Sequence, residues 1–313
     1  MKKISLILVF GCLVLVNSCA KNIDSTTATD TSTPTTTTTA TGTTYTNIVY
    51  AATSSAEKMD IYLPSGSGPF PVVVLIHGGA FLMGDKSDEA ADAAVLVANG
   101  YAAVSVNYRL SGEAQFPAQI QDCKAAVRFL RANSTKYKLN PDKIASWGGS
   151  AGGNLSALLG TSGGISELEG AELGNSTFSS KVLASVDWFG PINFLTMDAE
   201  ASALGFTIST NAANSPESLM MGAAVQTIPT QVAKANPTTY ITSDDAAFFI
   251  QVGDLDRNIP YTQSKNFYNA LVTVKGSSTV SFELIAGAAH GGSLFTTTAN
   301  YAKVISFLNS YLK

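Results

Sequence analysis

The sequence predicts an α/β architecture: a mostly parallel central sheet of about eight strands with helices on both faces. Three observations predict it. From about Tyr45 short apolar runs alternate with helical patterns to the end of the chain, and Gly, Ser, Asn and Pro cluster in the gaps. One strand, ending at Trp147, runs through Gly148-Gly149-Ser150-Ala151-Gly152-Gly153 straight into a helix. Alternation of this kind asks for parallel strands, because each helix carries the chain back across the sheet.

The elements follow in order. Strands are expected at 46–51, 58–63, 71–76, 102–107, 143–147, 182–189, 247–252 and 279–285, each a short apolar run between turn residues. The first two read as an antiparallel hairpin. Helices are expected at 89–99, 117–134, 151–159, 260–274 and 301–312, the fourth opened by Pro260. Functional groups should then collect at the C-terminal ends of the strands. Two stretches break the rhythm, 163–180 and 193–245, both rich in Gly, Ser, Thr and Asn. The second is expected to form a small cap, since long excursions inside a compact fold are usually functional.

The chain has 313 residues, 45% hydrophobic and 13% charged, with a net charge of −4. That is enough for one large buried core. With no basic run to neutralise a phosphate backbone, a nucleic acid partner is not expected. Residues 1–18 read as an export signal: Lys2 and Lys3 precede an apolar run from Ile4 to Val16 that is too short to span a bilayer. The run closes on Val16-Asn17-Ser18-Cys19, which looks like a bacterial lipobox. Cys19 is the expected lipidation site, and several acyl chains there would hold an exported protein on a membrane, on its periplasmic side or at the cell surface. Residues 19–44 are Thr-rich and read as a flexible tether, leaving 45–313 as the folded domain. Once Cys12 and Cys19 are set aside, Cys123 is left alone in a helical pattern, as a small core residue. No metal site, dinucleotide fingerprint or phosphate loop is visible, and no cofactor is expected.

Ser150 is the expected nucleophile. A serine on a sharp strand-to-helix turn needs small residues two before and two after it, and Gly148 and Gly152 stand there. Its hydroxyl needs a base. The chain offers only His77 and His290. His77 lies in His77-Gly78-Gly79-Ala80-Phe81, directly after a strand and before the serine, where a loop can turn its amides toward an anion. Gly79, Ala80 and Ala151 are the expected oxyanion donors, with His77 bracing the loop. His290 follows the last strand and is the expected base. The acid should come from Gly253-Asp254-Leu255-Asp256-Arg257-Asn258-Ile259-Pro260. Asp256 is favoured and Asp254 held in reserve, the task being to orient and stabilise the imidazole. The order serine, acid, histidine is that of the α/β-hydrolases.

From about Asp60 onward the chain resembles the bacterial carboxylesterase branch related to hormone-sensitive lipase, most nearly its bifunctional feruloyl and acetyl-xylan esterases. The resemblance rests on His77-Gly78-Gly79-Ala80-Phe81, on Val106-Asn107-Tyr108-Arg109-Leu110 with Phe116-Pro117-Ala118-Gln119 and Asp122, and on Trp147 to Gly153. It rests further on Trp188-Phe189-Gly190-Pro191 and on Asp256 to Pro260. It implies ester hydrolysis on acylated polysaccharides or their fragments, and aligns the family's acid with Asp256. Two positions depart from it: Val252 stands where the family often has His, and Ala80 where it often has a third glycine. Two rival readings stand beside this one: an exopeptidase sharing the elbow and the triad order, and a surface glycan-binding protein using the fold as a scaffold. Phe81, Trp147, Trp188 and Phe189 are candidates for an aromatic acyl pocket, with core packing as the plainer reading. The sequence is silent on oligomeric state.

Overall fold

The structure, a computed structural model, describes residues 33–39 and 42–313. Its strands are β1 (Thr35–Thr39), β2 (Gly42–Val49), β3 (Lys58–Pro64), β4 (Phe70–Ile76), β5 (Ala102–Val106), β6 (Leu139–Gly149), β7 (Ala184–Trp188), β8 (Ala247–Gly253) and β9 (Val280–Ile285). They form one sheet in the order β1-β2-β3-β5-β4-β6-β7-β8-β9. β1, β2, β3 and β5 pair antiparallel, and from β5 through β4 to β9 every pairing is parallel. The helices are α1 (Ala90–Ala98), α2 (Ala118–Ala132), α3 (Ala151–Thr161), α4 (Ser166–Glu169), α5 (Met197–Ala203), α6 (Pro216–Met221), α7 (Pro229–Val232), α8 (Tyr261–Lys275) and α9 (Thr298–Leu312).

Strand side chains alternate faces, so β4 feeds two cores at once. Val72, Val74 and Ile76 pack with Ile120 and Leu130 of α2, Leu155 and Leu158 of α3, and Phe267 and Leu271 of α8. Val73 and Leu75 pack on the opposite side with Leu96 of α1 and with Val304, Leu308 and Leu312 of α9. Each such side chain contributes roughly 1.5–3 kcal/mol when fully buried, which is why strands covered on both faces read as unbroken apolar runs.

The first strand is a departure from expectation. The Thr-rich composition of 19–44 predicts a tether, yet Thr35–Thr39 forms β1 and Gly42–Thr44 begins β2. Every residue of β1 is exposed, so burial does not hold it. β-Branched threonines suit an extended backbone, and hydroxyls meet across the hairpin: Thr46 Oγ1 donates to Thr35 Oγ1 at 3.0 Å, and the Thr38 and Thr43 hydroxyls lie 3.3 Å apart. The low-complexity composition hides a strand that needs no apolar face. Residues 1–18 and Cys19 lie outside the described residues.

Chain order makes β4 and β6 the topological switch point. After β4 the chain leaves through α1 to β5 on one side; after β5 it crosses through α2 to β6 on the other. Loops leaving the C-terminal ends of β4 and β6 therefore diverge and open a crevice between them, where ligands bind in open α/β sheets. The excursion 163–180 is tied down beside α2: Lys124 Nζ donates to Glu169 at 2.7 Å and Arg128 donates to the Gly170 and Gly174 carbonyls. The excursion 193–245 carries α5, α6 and α7 and rises over the crevice.

Candidate active site

β6 ends in Gly149, and Ser150 turns the chain into α3 with φ 56° and ψ −121°. This conformation costs a non-glycine residue on the order of 1–3 kcal/mol and persists only where its surroundings enforce it. They do so by close packing. A Cβ on Gly148 would stand 2.3 Å from the Gly152 carbonyl oxygen, and one on Gly152 would stand 1.9 Å from that of Ile76. The Ser150 amide donates to the Trp188 carbonyl at 2.9 Å, pinning the turn to β7.

Three sequence-predicted side chains meet at this turn. His290 Nε2 lies 2.9 Å from Ser150 Oγ, and His290 Nδ1 lies 2.8 Å from Asp256 Oδ2. Since the carboxylate only accepts, Nδ1 carries the proton and Nε2 is left to accept from the serine hydroxyl. Asp256 is buried, and its Oδ1 accepts from the amides of Asn258 at 2.8 Å and Ile259 at 2.9 Å. Asp254, the reserve acid, points elsewhere: its Oδ1 accepts from the Gly287 amide at 2.7 Å and braces the loop before His290.

The loop after β4 carries Gly79, Ala80 and Phe81 at φ 99°, 55° and 61°, a left-handed run that folds it back over Ser150. Ala80 takes this conformation without being glycine. A Cβ on Gly78 would sit 3.5 Å from Ser150 Cβ, which measures how close the loop comes. Gly79, Ala80 and Ala151 all line the cavities that open on Ser150. His77 is buried behind the loop, its ring stacked on Tyr108 at 4.4 Å, with Nδ1 donating to the Gly78 carbonyl at 2.8 Å. Burial holds its pKa below the usual histidine value, so it stays neutral. Tyr108 Oη donates to the His77 carbonyl at 3.0 Å, and Phe81 O accepts from the Ser111 amide and hydroxyl. Asn107 to Ser111 thus forms a scaffold under the loop, itself anchored where Arg109 grips the Asp122 carboxylate with its amide and guanidinium.

Two chambers meet at Ser150 and His290. One, of about 430 Å³, is walled by Phe81, Pro191, Met197, Ile208 and Ile259, with residues 208–217 of the 193–245 excursion closing it. The excursion therefore supplies part of the lining that Ser150 shares. Arg257 at its rim stacks over the Phe206 ring at 4.8 Å, joining the acid loop to that excursion. The other chamber, of about 500 Å³, has Trp147, Trp188, Phe189 and Phe295 as its floor, with Glu89 and Asp92 at its edge. The four aromatic candidates are buried in the core; Phe81 also lines the first chamber, and Trp147, Trp188 and Phe189 line the second. Among the described residues no three or more His, Cys, Asp and Glu side chains are grouped to hold a metal ion. Nor is any helix there long and apolar enough to cross a membrane.

Three features of the site have no clear mark in the sequence. The amides that hold Asp256 belong to its own loop and have no side-chain signature. Tyr108 acts through its hydroxyl from a separate loop. Phe189, in a left-handed conformation with φ 44°, sets its ring edge-on to His290 at 4.8 Å, in a slot that Gly149 and Gly291 leave open. The sequence marks Phe189 only as part of Trp188-Phe189-Gly190-Pro191 and as an aromatic candidate, and Tyr108 only as part of Val106 to Leu110; neither motif spells out these contacts.

A hydroxyl bonded to an imidazole that is oriented by a buried carboxylate, beside backbone turned toward the same point, is equipped for nucleophilic attack on a carbonyl. Among known proteins, Esterase LipQ of Mycobacterium tuberculosis (strain ATCC 25618 / H37Rv) is 29% identical over 262 residues, covering 80% of this chain and 58% of that protein. Across three such mycobacterial relatives the chain spans 53–58% of their length. Of solved structures, a truncated form of a carbohydrate esterase from gut microbiota superposes with a TM-score of 0.79 at 31% identity, covering 86% of this chain and 96% of that one. A bifunctional GH43-CE of Bacteroides eggerthii superposes with a TM-score of 0.77 at 36% identity, covering 85% of this chain and 35% of that one. The fold is that of the α/β-hydrolase esterases. A model of the BD-FAE family matches residues 59–271, and the chain belongs to that family.

Proposed function

We propose that this protein is a serine carboxylesterase that cleaves acyl esters of acetyl or feruloyl type from carbohydrate or small-molecule substrates through an acyl-enzyme. The observation that carries it is the unbroken hydrogen-bonded chain from Ser150 through His290 to Asp256. His290 Nε2 takes the hydroxyl proton as Ser150 Oγ bonds to the ester carbonyl carbon. The Gly79, Ala80 and Ala151 amides receive the oxyanion, and Asp256 stabilises the imidazolium. Collapse breaks the carbon–alkoxide bond while His290 returns the proton to the departing alcohol. Water, deprotonated by the same Nε2, then attacks the acyl-serine; the second collapse frees the carboxylic acid and restores the hydroxyl. No step asks for a cofactor.

The likeness to a carbohydrate esterase and to a bifunctional GH43-CE supports a sugar-borne ester. Lys2, Lys3, the apolar run to Val16 and Cys19 support export and anchoring through lipid on Cys19. The test is hydrolysis of p-nitrophenyl acetate and methyl ferulate by the parent and by Ser150→Ala. Turnover that the substitution abolishes is expected. Turnover that survives it would refute the assignment of the nucleophile.

A further inference from the structure

The two chambers at Ser150 differ in the polar groups that line them. In the first, Ser215 Oγ donates to the Thr210 carbonyl and accepts from the Ser218 amide, and Arg257 lies over the Phe206 ring. Thr210 and Glu217 are turned into the structure and buried. What faces the reacting carbonyl there is Phe81, Met197, Ile208 and Ile259. That surface suits an acyl group.

The second chamber is built differently. Its floor is apolar, with the edges of Trp188, Phe189 and Phe295, and exposed Met83 stands at its rim. Glu89 and Asp92 line the same space, three residues apart at the start of α1 and so on one face of it. Asp92 is fixed by Tyr301 Oη, which donates to its Oδ1 at 2.6 Å, and Tyr301 packs in turn on Trp147 and Trp188. The Glu89 and Asp92 carboxyl groups adjoin each other in the lining of this chamber. Burial, then the neighbouring Asp92 and Asp88 carboxylates, push the Glu89 pKa up to about 8, so the pair shares one proton near neutrality. Both carboxyl groups line the chamber that Ser150 also lines, and a Glu89 that gives its proton to Asp92 keeps a carbonyl oxygen able to accept.

A chamber lined by both an apolar surface and acceptor oxygens complements a pyranose, whose C–H face is apolar and whose rim carries hydroxyl donors. We propose that this chamber holds the alcohol moiety of the ester, and that the Glu89–Asp92 pair accepts hydroxyls of a sugar ring there. The inference rests on the esterase reading and names the substrate class of the same site.

Two esters with the same acyl group and ring size test it: a mono-O-acetylated methyl pyranoside, and cyclohexyl acetate, which lacks the hydroxyls. The quantity read is the ratio of their kcat/KM values in the full chain, in Glu89→Ala and in Glu89→Gln. The parent should prefer the sugar ester. Removing the acceptor of one buried sugar hydroxyl costs roughly a factor of 10, so the ratio should fall at least about 10-fold in Glu89→Ala. Glutamine keeps both a donor for Asp92 and a carbonyl oxygen able to accept, so the ratio in Glu89→Gln should stay within about 3-fold of the parent. A parent that hydrolyses both esters without preference would overturn the subsite and leave the esterase reading standing. A ratio that Glu89→Ala does not change would do the same. A parent that hydrolyses neither ester, nor p-nitrophenyl acetate, nor methyl ferulate would overturn the esterase reading and the subsite with it; where methyl ferulate alone is hydrolysed, the same ratio is read on the feruloyl esters of the two alcohols, with the same outcomes.

Discussion

Replacing Asp256 by asparagine separates the two acids of the loop after β8 and tests the electrostatic logic of the site. In the parent, Oδ1 accepts two backbone amides and Oδ2 accepts His290 Nδ1–H, all within 2.8–2.9 Å. Asparagine keeps the shape. Its one oxygen will stay with the two amides, because an NH2 turned toward them would set donor against donor. The NH2 then faces Nδ1, which must accept and lose its proton. Nε2 becomes the protonated nitrogen and can no longer take the Ser150 proton. A wrong tautomer in this kind of triad costs about 10⁴ in kcat, equivalent to roughly 5 kcal/mol at about 1.4 kcal/mol per decade. Asp254→Asn should behave otherwise: an asparagine oxygen still accepts from Gly287, so kcat/KM should remain within about 3-fold of the parent. Initial rates on p-nitrophenyl acetate, with circular dichroism as a check on folding, supply both numbers. Asp256→Asn retaining more than about a tenth of the parental rate would refute the reasoning, as would Asp254→Asn losing as much as Asp256→Asn.

Three further outcomes are expected. Gly152→Ala places a Cβ 1.9 Å from the Ile76 carbonyl oxygen and should cost about 3 kcal/mol or more in urea unfolding, while Gly112→Ala, with nothing within 4 Å, should change stability by less than about 1 kcal/mol. Tyr108→Phe removes the hydroxyl that supports the His77 carbonyl; kcat should fall roughly 10-fold with KM changing less, since the loop's amides act on the oxyanion that forms only in the reaction, and an unchanged kcat would detach Tyr108 from the oxyanion loop. Asp187 is fully buried beside Gly190, and burial raises its pKa from 3.8 to about 7. The folded state therefore holds a proton that the unfolded chain gives up, and stability falls as pH rises from about 4 to about 7. This contribution is on the order of a few kcal/mol. Asp187→Asn should flatten that part of the stability profile, measured by urea midpoints at about pH 4.5 and about pH 6, inside the window, and at about pH 8, above it; an unchanged profile would contradict it.

Much of the site is legible in the sequence because its chemistry imposes local spelling. A strained serine turn needs Gly148 and Gly152, a loop folded back over it needs Gly78 and Gly79, and two histidines leave little choice of base. The parallel strands are equally legible, since burial on both faces makes them continuous apolar runs. Other features have no such spelling. β1 is a run of exposed threonines held by cross-strand bonds, so it carries neither alternation nor an apolar core signal. The partition between Asp254 and Asp256 depends on which way each carboxylate points, which the amides of Gly287, Asn258 and Ile259 decide. Ala80 shows the limit from the other side. Its φ of 55° is a conformation that glycine takes at no steric cost, and the sequence alone gives no reason to expect it of alanine. The Glu89–Asp92 pair lies some 60 residues from Ser150 in the chain and reaches the site only through the fold.

The central claim is that Ser150 becomes acylated. Acid quenching of the full chain during turnover of p-nitrophenyl acetate, followed by digestion and mass analysis, tests it most directly. One acetyl group on the peptide that carries Ser150, absent from Ser150→Ala and accumulating in a mutant slowed at deacylation, is the predicted result. Steady hydrolysis with the acetyl group on another residue would contradict the account.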